Sequence, residues 1–197
     1  MDPITSVRGQ VSVLDRDDVD TDQIMPKQFL KRIERTGFGE FLFHDWRSDP
    51  DFVLNDTRYR GANVLVTGPN FGSGSSREHA PWGLQQYGFD ALVAPSFADI
   101  FRSNCARIGL LTVELPAPTC RALLDLVTAD PATRVRIDLP AQTLVAGTVN
   151  AEFPFDAGTK HLLVEGLDEI ALTLQQAEVI AAFEAGRPAW RPVTSAR

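Results

Sequence analysis

Short apolar runs separated by glycine and proline recur through the first 115 residues. The segment 7–14 alternates between apolar and polar positions, and 62–67, 91–94 and 110–114 are short runs rich in β-branched or aliphatic residues, which is typical of strands. Between residues 97 and 108 the apolar side chains are three or four positions apart, which indicates a helix that Gly109 would end. The pattern predicts βα units in this half.

The second half follows another pattern. Segments 135–139, 143–146 and 151–155 alternate like antiparallel strands with one wet face, and 119–129, 161–165 and 172–183 have helical periodicity. The predicted fold is therefore α/β, a single domain over residues 1–197 with a mixed sheet. Residues 187–197 have no periodicity, so we expect this tail to dock loosely or fray.

Composition narrows the possible partners. A net charge of -7 and a pI near 4.9 argue against binding to nucleic acid or an anionic membrane, because both need clustered Lys and Arg. No apolar stretch approaches the length of a membrane span, so we expect a soluble, cytoplasmic protein. Cys105 and Cys120 are too few for a disulfide framework and lie at apolar helical positions, which predicts core residues.

A loop of small residues follows the strand at 62–67. Its small residues let backbone N–H groups approach a ligand, and Ser75 and Glu78 have the spacing of a helix capping box. Ser75 is thus a candidate N-cap with Arg77 in the first helical turn, a geometry that suits a carboxylate. Pro81 disturbs such a helix, so it is kinked there or begins only at Pro81. The alternative is a glycine-rich turn without function.

The glycine spacing matches neither a nucleotide P-loop nor a dinucleotide-binding fingerprint. Residues 72–79, Gly-Ser-Gly-Ser-Ser-Arg-Glu-His, instead resemble the G-x-G-S-S-R-E-H signature in the swivel domain of the aconitase superfamily. Residues 20–24 resemble its D-x-D-x-I motif, and the run 96–101 with Asn104 extends the match. Within the superfamily the chain most resembles the separate small subunits of 3-isopropylmalate dehydratases (isopropylmalate isomerases), which implies a swivelling β/β/α layered domain, as in the aconitase C-terminal domain.

The resemblance implies roles for individual residues. Ser75 matches the catalytic base, and Ser76 and Arg77 match the contacts to a substrate carboxylate. The supporting positions are Asp20, Asp22, Gly72, Gly74 and His79, and a carboxylate of the D-x-D-x-I motif could orient Arg77 through a bidentate contact.

The segment 29–35 falls where this family reads the variable side chain of its substrate. Leu30 could meet an isopropyl group, while Lys31, Arg32 or Arg35 could meet a carboxylate. The residues alone leave the choice open, and a surface helix with hydrated cations is the alternative.

The activity implied by the resemblance is the interconversion of 2-isopropylmalate and 3-isopropylmalate by dehydration and rehydration, in leucine biosynthesis. The family's Lewis acid is a [4Fe-4S] cluster bound by cysteines. Because this chain has only Cys105 and Cys120, we expect it to bind no metal and to be active only with a partner large subunit that holds the cluster. The alternatives are the small subunit of a related hydro-lyase, such as a homoaconitase or a methylmalate-type dehydratase, and a non-catalytic anion-binding module.

Overall fold

A computed structural model describes residues 1–188 and 190 of the chain. Its strands are β1 Ser6–Leu14, β2 Val64–Thr67, β3 Ala91–Ala94, β4 Leu111–Glu114, β5 Arg134–Asp138, β6 Thr143–Ala146 and β7 Val149–Glu152. Its α-helices are α1 Thr21–Ile24, α2 His79–Tyr87, α3 Asp99–Ile108, α4 Ala117–Ala129, α5 Ala157–Glu165, α6 Glu169–Leu174 and α7 Ala177–Ala185. Short 3-10 helices occupy Lys27–Lys31, Phe38–Phe41, Trp46–Ser48, Val53–Asn55 and Thr57–Tyr59.

The seven strands form one mixed sheet in the order β4-β3-β2-β1-β5-β6-β7. Strands β1 to β4 are parallel, and β5, β6 and β7 add in antiparallel fashion on the other side of β1. The long strand β1 is shared, because residues 11–14 pair with β2 while residues 6–10 pair with β5. This confirms the predicted α/β class, with βα units first and an antiparallel part second.

Two hydrophobic clusters cover the two faces of the parallel strands. In β2, Val64 and Val66 belong to one cluster and Leu65 to the other; in β3, Val93 and Leu92 divide in the same way. Helix α4 and the antiparallel strands complete the first cluster, whereas α2, α3 and the 3-10 segments complete the second. Burial on both faces explains why these strands are continuous apolar runs.

Some predicted boundaries are wrong. The last strand is 149–152 rather than 151–155, because Gly147, with φ of 54°, allows a tight turn directly after β6. The single helix expected at 172–183 is two helices, α6 and α7, separated at Gln175 and Gln176. None of the described helices is long and apolar enough to cross a membrane. The expected fraying of 187–197 concerns residues that, apart from Arg187, Pro188 and Trp190, lie outside the described part, and the single-domain interpretation stays a prediction.

Candidate active site

The loops that follow β1, β2 and β3 meet at the carboxyl edge of the parallel strands. Isolated β-bridges join Asp20 to Ser73 and Phe71 to Phe97, so all three loops are tied together. The Gly72 N–H donates to the Val19 carbonyl at 2.8 Å, and the Thr21 N–H donates to the Ser73 carbonyl at 2.9 Å. The carboxyl edge of parallel strands is where open α/β sheets usually bind ligands.

Two glycines shape the loop after β2. Gly72 has a φ of 78° and is buried against Phe101, whose ring would lie 2.1 Å from a Cβ at this position. Gly74 has a φ of 89° and lies beside Thr21. A side chain at Gly72 would collide with the ring, and both backbone conformations favour glycine. The two glycines therefore let the loop turn tightly and leave Ser75 and Ser76 exposed at its end.

Ser75 is not a helix N-cap, so this prediction was wrong. Helix α2 begins at His79, and Glu78 precedes it without a side-chain cap. Pro81 is the reason: as the third residue of α2 it lies in the first turn, where the missing N–H would have no intrahelical partner. Neither a kinked helix from Ser76 nor a helix from Pro81 forms. The Ser75 hydroxyl thus has no capping role.

A contact between Asp22 and Arg77 joins the two motifs. Arg77 Nη1 donates a hydrogen bond to Asp22 Oδ1 and forms an ion pair with it. Arg77 Nη2 lies 3.4 Å from Ser75 Oγ, and the Thr21 hydroxyl donates to the Ser75 carbonyl at 3.0 Å. The expected contact between the D-x-D-x-I motif and Arg77 is present through one nitrogen and one oxygen, not as a bidentate pair.

Asp20 has a local structural contact. It caps α1, its Oδ1 accepting from the Gln23 N–H at 2.8 Å, while its own N–H donates to Gln23 Oε1 at 2.9 Å. This capping box fixes the short helix that carries Asp22.

The end of the loop is suited to an anion. Among the described residues, no acceptor is paired with the backbone N–H groups of Gly74, Ser75 and Ser76. The exposed hydroxyls of Ser75 and Ser76 and the half-buried guanidinium of Arg77 lie next to them, just before the positive end of α2. Unpaired N–H groups, hydroxyls and a guanidinium are the groups that favour a carboxylate, so this loop end is a candidate anion site.

His79, the last residue of the motif, lies among aromatic rings. Its ring centroid is 5.2 Å from that of Phe38 and 4.9 Å from that of Trp82. Partial burial lowers the pKa of His79; Glu78 opposes this shift and Arg77 adds to it. The imidazole is therefore neutral at neutral pH and acts as a packing partner at the start of α2.

The segment 29–35 lies beside the first turns of α2, which contain His79 and Trp82. Phe29 stacks on Phe41 with centroids 4.2 Å apart, and the Arg32 guanidinium lies 5.0 Å above the same ring. Leu30 is half-buried and packs against the second core cluster, whereas Lys31 is exposed. Arg35 lies 5.8 Å from the Trp82 ring, which in turn contacts His79. The structure thus connects this segment to the motif through Trp82.

One residue of this segment, Ile33, and one residue of α2, Gln86, were missed by sequence reasoning. Ile33 is 95% exposed, and an isoleucine among four charged neighbours was the available signal. Gln86 accepts from the Phe38 N–H and donates from Nε2 to the Arg35 carbonyl, both at 2.8 Å. The Gln86 amide therefore fixes Arg35, at the C-terminal end of the segment 29–35, to α2. No sequence pattern indicates this contact.

The cysteines do not fit a cluster site. Cys105 is fully buried and burial raises its pKa well above the ordinary value. Burial also raises the pKa of Cys120 to about 11, and its Sγ donates to the Leu115 carbonyl at 3.6 Å. Cluster ligands are thiolates, so neither residue suits that role. Within residues 1–188 and 190, no group of three or more His, Cys, Asp or Glu side chains is arranged to hold a metal ion.

Comparisons with known proteins match both ends of the chain. The family model for the aconitase C-terminal domain matches residues 1–118. The family model for the C-terminal domain of the 3-isopropylmalate dehydratase small subunit matches residues 169–195.

Relatives that match nearly all of this chain are also named 3-isopropylmalate dehydratase small subunit. The 3-isopropylmalate dehydratase small subunit of Rubrobacter xylanophilus is 53% identical, with 98% of each chain covered. That of Acidothermus cellulolyticus is 52% identical, with 100% of each chain covered. A solved structure of 3-isopropylmalate dehydratase from Methanocaldococcus jannaschii superposes with a TM-score of 0.62 at 25% identity and covers 91% of this chain and 99% of that one.

Proposed function

Because the chain belongs to the 3-isopropylmalate dehydratase small subunit family of the aconitase superfamily, we propose that it is the small subunit of a two-subunit hydro-lyase. The reaction is the interconversion of 2-isopropylmalate and 3-isopropylmalate by loss and return of water, in leucine biosynthesis. The chain acts together with a large subunit.

The observation that carries the mechanism is the grouping of Ser75, Arg77 and Asp22 beside unpaired backbone N–H groups. Asp22 holds one edge of the guanidinium and leaves its other donors available to a carboxylate of the substrate. Ser76 adds an exposed hydroxyl to this contact. The substrate is thereby fixed with the carbon next to its carboxylate close to Ser75.

Ser75 is the proposed base, which takes the proton from that carbon and later returns it. A serine hydroxyl is a weak base, so its deprotonated form needs stabilisation. Arg77 Nη2, 3.4 Å from the hydroxyl oxygen, the free N–H groups of the loop and the positive end of α2 supply it. Because Ser75 caps no helix, its side chain is available to act as the base.

The [4Fe-4S] cluster expected in this family belongs, in our proposal, to the large subunit, since the two buried thiols of this chain do not suit it. When bound there, the cluster supplies the Lewis acid for the departing hydroxyl. A biosynthetic enzyme of this kind would work in the cytoplasm.

The segment 29–35, whose residues 31–35 are exposed, is the proposed reader of the substrate's variable side chain. Leu30 packs inward, so Ile33 is the apolar side chain that remains free to meet an isopropyl group. Lys31, Arg32 and Arg35 are its cationic neighbours in the sequence, and they are the candidates for a substrate carboxylate. Phe41, Trp82 and Gln86 hold the segment in place through the contacts described above.

The test is reconstitution of the chain with its large subunit under anaerobic conditions with iron and sulfide. We expect conversion of 2-isopropylmalate by the complex, and neither activity nor a stoichiometric cluster in the isolated chain. Homoaconitate and methylmalate serve as competing substrates. A complex that prefers one of them would contradict the proposed substrate, and an active isolated chain would contradict the division between two subunits.

A further inference from the structure

The last two helices expose an unusual amount of apolar surface. Neither α6 nor α7 contains a buried residue. Their large apolar side chains are between 37% and 69% exposed: Ile170, Leu172, Leu174, Val179, Ile180 and Phe183. Scattered apolar residues are normal on a surface, but a concentration in one segment indicates an interaction site.

The spacing places most of these side chains together. Phe183 lies three positions after Ile180 and four after Val179, which puts the three on one face of α7, and Ile170 and Leu174 are four apart on α6. We call these five residues the C-terminal apolar face. An amphipathic helix normally turns such a stripe toward a core, and here the described domain supplies none.

Charge around this face indicates the chemistry of its partner. Residues 161–186 contain five acidic residues and no Lys or Arg. Among them, Glu178 and Glu184 lie next to apolar positions of α7, and Glu169, next to Ile170, forms an ion pair with Arg107 of α3 at 3.5 Å. A complementary surface therefore has an apolar centre and a basic rim. A second copy of this chain would bring its own acidic rim to the contact, which disfavours self-association through this face.

A groove runs from the C-terminal apolar face to Glu78, the residue that follows Arg77. It has a volume of about 1050 Å³ and lies between α3 and the segment from α5 to α6. Glu78 lines one part of it, and Glu169 and Ile170 line another. A protein that covers the active site can therefore continue along the groove onto α6.

The residue ranges of the two family matches indicate which partner binds this face. The match to the aconitase C-terminal domain ends at residue 118, and the match specific to the small subunits covers 169–195, which includes all of α6 and α7. A subunit that is a separate chain must attach to its partner without a covalent link, and specific interfaces bury about 800 Å² on each side. An exposed apolar segment that is characteristic of the separate subunit meets this need.

We propose that the C-terminal apolar face binds the large subunit, through an apolar patch bordered by Lys and Arg. The proposal rests on the proposed function only in taking the large subunit as partner. It assigns α6 and α7 to assembly and the loop at 72–77 to chemistry.

The test measures assembly directly, without an activity assay. Ile170→Gln, Val179→Gln and Phe183→Gln are combined in the full-length chain, and its dissociation constant for the large subunit is compared with wild type. Val145→Gln is the control, because Val145 is 43% exposed but lies on β6. We expect the triple variant to bind at least about 30-fold more weakly and the control to bind within about 2-fold of wild type.

Folding is checked by circular dichroism and thermal melting of each isolated chain, and Phe183→Gln alone provides a milder variant with the same expected direction. Glu178→Lys with Glu184→Lys tests the rim, since it should slow association and reverse its salt dependence. A folded triple variant with wild-type affinity would overturn the proposal, as would one that loses only self-association. A wild-type complex that assembles but does not convert isopropylmalate would contradict the proposed function and leave this result intact.

Discussion

Arg77 Nη1 donates a hydrogen bond to Asp22 Oδ1, although the two residues are 55 positions apart in the sequence. Asp22 is carried by a four-residue helix whose capping box is closed by Asp20 and Gln23. The contact therefore joins a rigid turn after β1 to the end of the loop after β2. Through it, the orientation of the guanidinium depends on a residue that need not touch the substrate.

Asp22→Asn should lower kcat/KM about 10-fold to 100-fold, because the neutral amide holds the guanidinium less firmly. The free energy of unfolding should change by less than about 1 kcal/mol, since the pair is partly exposed to solvent. Steady-state kinetics of the reconstituted complex and urea unfolding of the isolated chain measure both.

Asp125→Asn is the matched control for this variant. It removes one of the two carboxylate partners of another arginine, Arg121 in α4, which keeps its contact to Asp15. Its kcat/KM should remain near that of wild type. Equal losses in the two variants would mean that Asp22 has no special relation to the site.

Gly72→Ala should be far more harmful to stability than Gly61→Ala. Both glycines have φ near 80°, but a Cβ at Gly61 has nothing within 4 Å, whereas one at Gly72 meets the Phe101 ring. The backbone alone costs about 1–2 kcal/mol, and the collision adds about 1–3 kcal/mol at Gly72. Denaturant unfolding of the isolated chain measures the difference, and equal costs would show that the ring moves aside freely.

Local patterns predicted the strands well but not the details of the loop. The apolar runs at 62–67 and 91–94 contain β2 and β3, which are buried on both faces, so the apolar pattern alone identified these strands. The pairing of β1 with both β2 and β5 could not be predicted from local patterns, because the β5 partners are more than 120 positions away. The start of α2 at His79 was not predicted, because the Ser75 and Glu78 spacing indicated a cap at Ser75, and a proline is tolerated at several positions of a first turn.

Some contacts of the site could be predicted from motifs, and others could not. The contact between Asp22 and Arg77 followed from matching motifs, since each motif is short and continuous. The Gln86 amide that ties Arg35 to Phe38 was invisible, because a glutamine in the middle of a helix has many possible partners. The partners of Gln86 are decided by how the backbone at Arg35 and Phe38 approaches α2 in the folded chain.

Ile33→Ala should weaken discrimination without affecting stability. The side chain is 95% exposed, so its loss leaves no cavity. If it meets the isopropyl group, the ratio of kcat/KM for isopropylmalate to that for methylmalate should fall about 10-fold. Val145→Ala, on β6, is the control and should leave the ratio unchanged. A ratio unaffected by Ile33→Ala would argue against contact between this side chain and the substrate.

Stability should depend on pH through His79. Because its folded pKa lies below 6.5, the folded chain binds fewer protons than the unfolded chain between the two values. The free energy of unfolding therefore falls as the pH drops from 6.5 through the lowered pKa, and His79 contributes no slope above 6.5. Urea unfolding of wild type and His79→Gln over this range should give curves that converge or cross on the acid side. Parallel curves would place the histidine in a solvent-like environment.

Ser75→Ala separates chemistry from structure most directly. The hydroxyl is exposed and caps no helix, so its removal should change the free energy of unfolding by less than about 0.5 kcal/mol. As the base, it should be essential, and kcat should fall about 1000-fold or more while the complex still forms and still binds isopropylmalate. Ser73→Ala removes a hydroxyl two residues earlier, where the backbone carbonyl rather than the side chain makes the contact to Thr21, and should retain most activity. Substrate binding measured by calorimetry, beside turnover, distinguishes a lost base from a lost binding contact. Because Arg77 and the loop N–H groups remain in Ser75→Ala, tight binding without turnover assigns proton transfer to this hydroxyl, whereas substantial turnover would remove it from the mechanism.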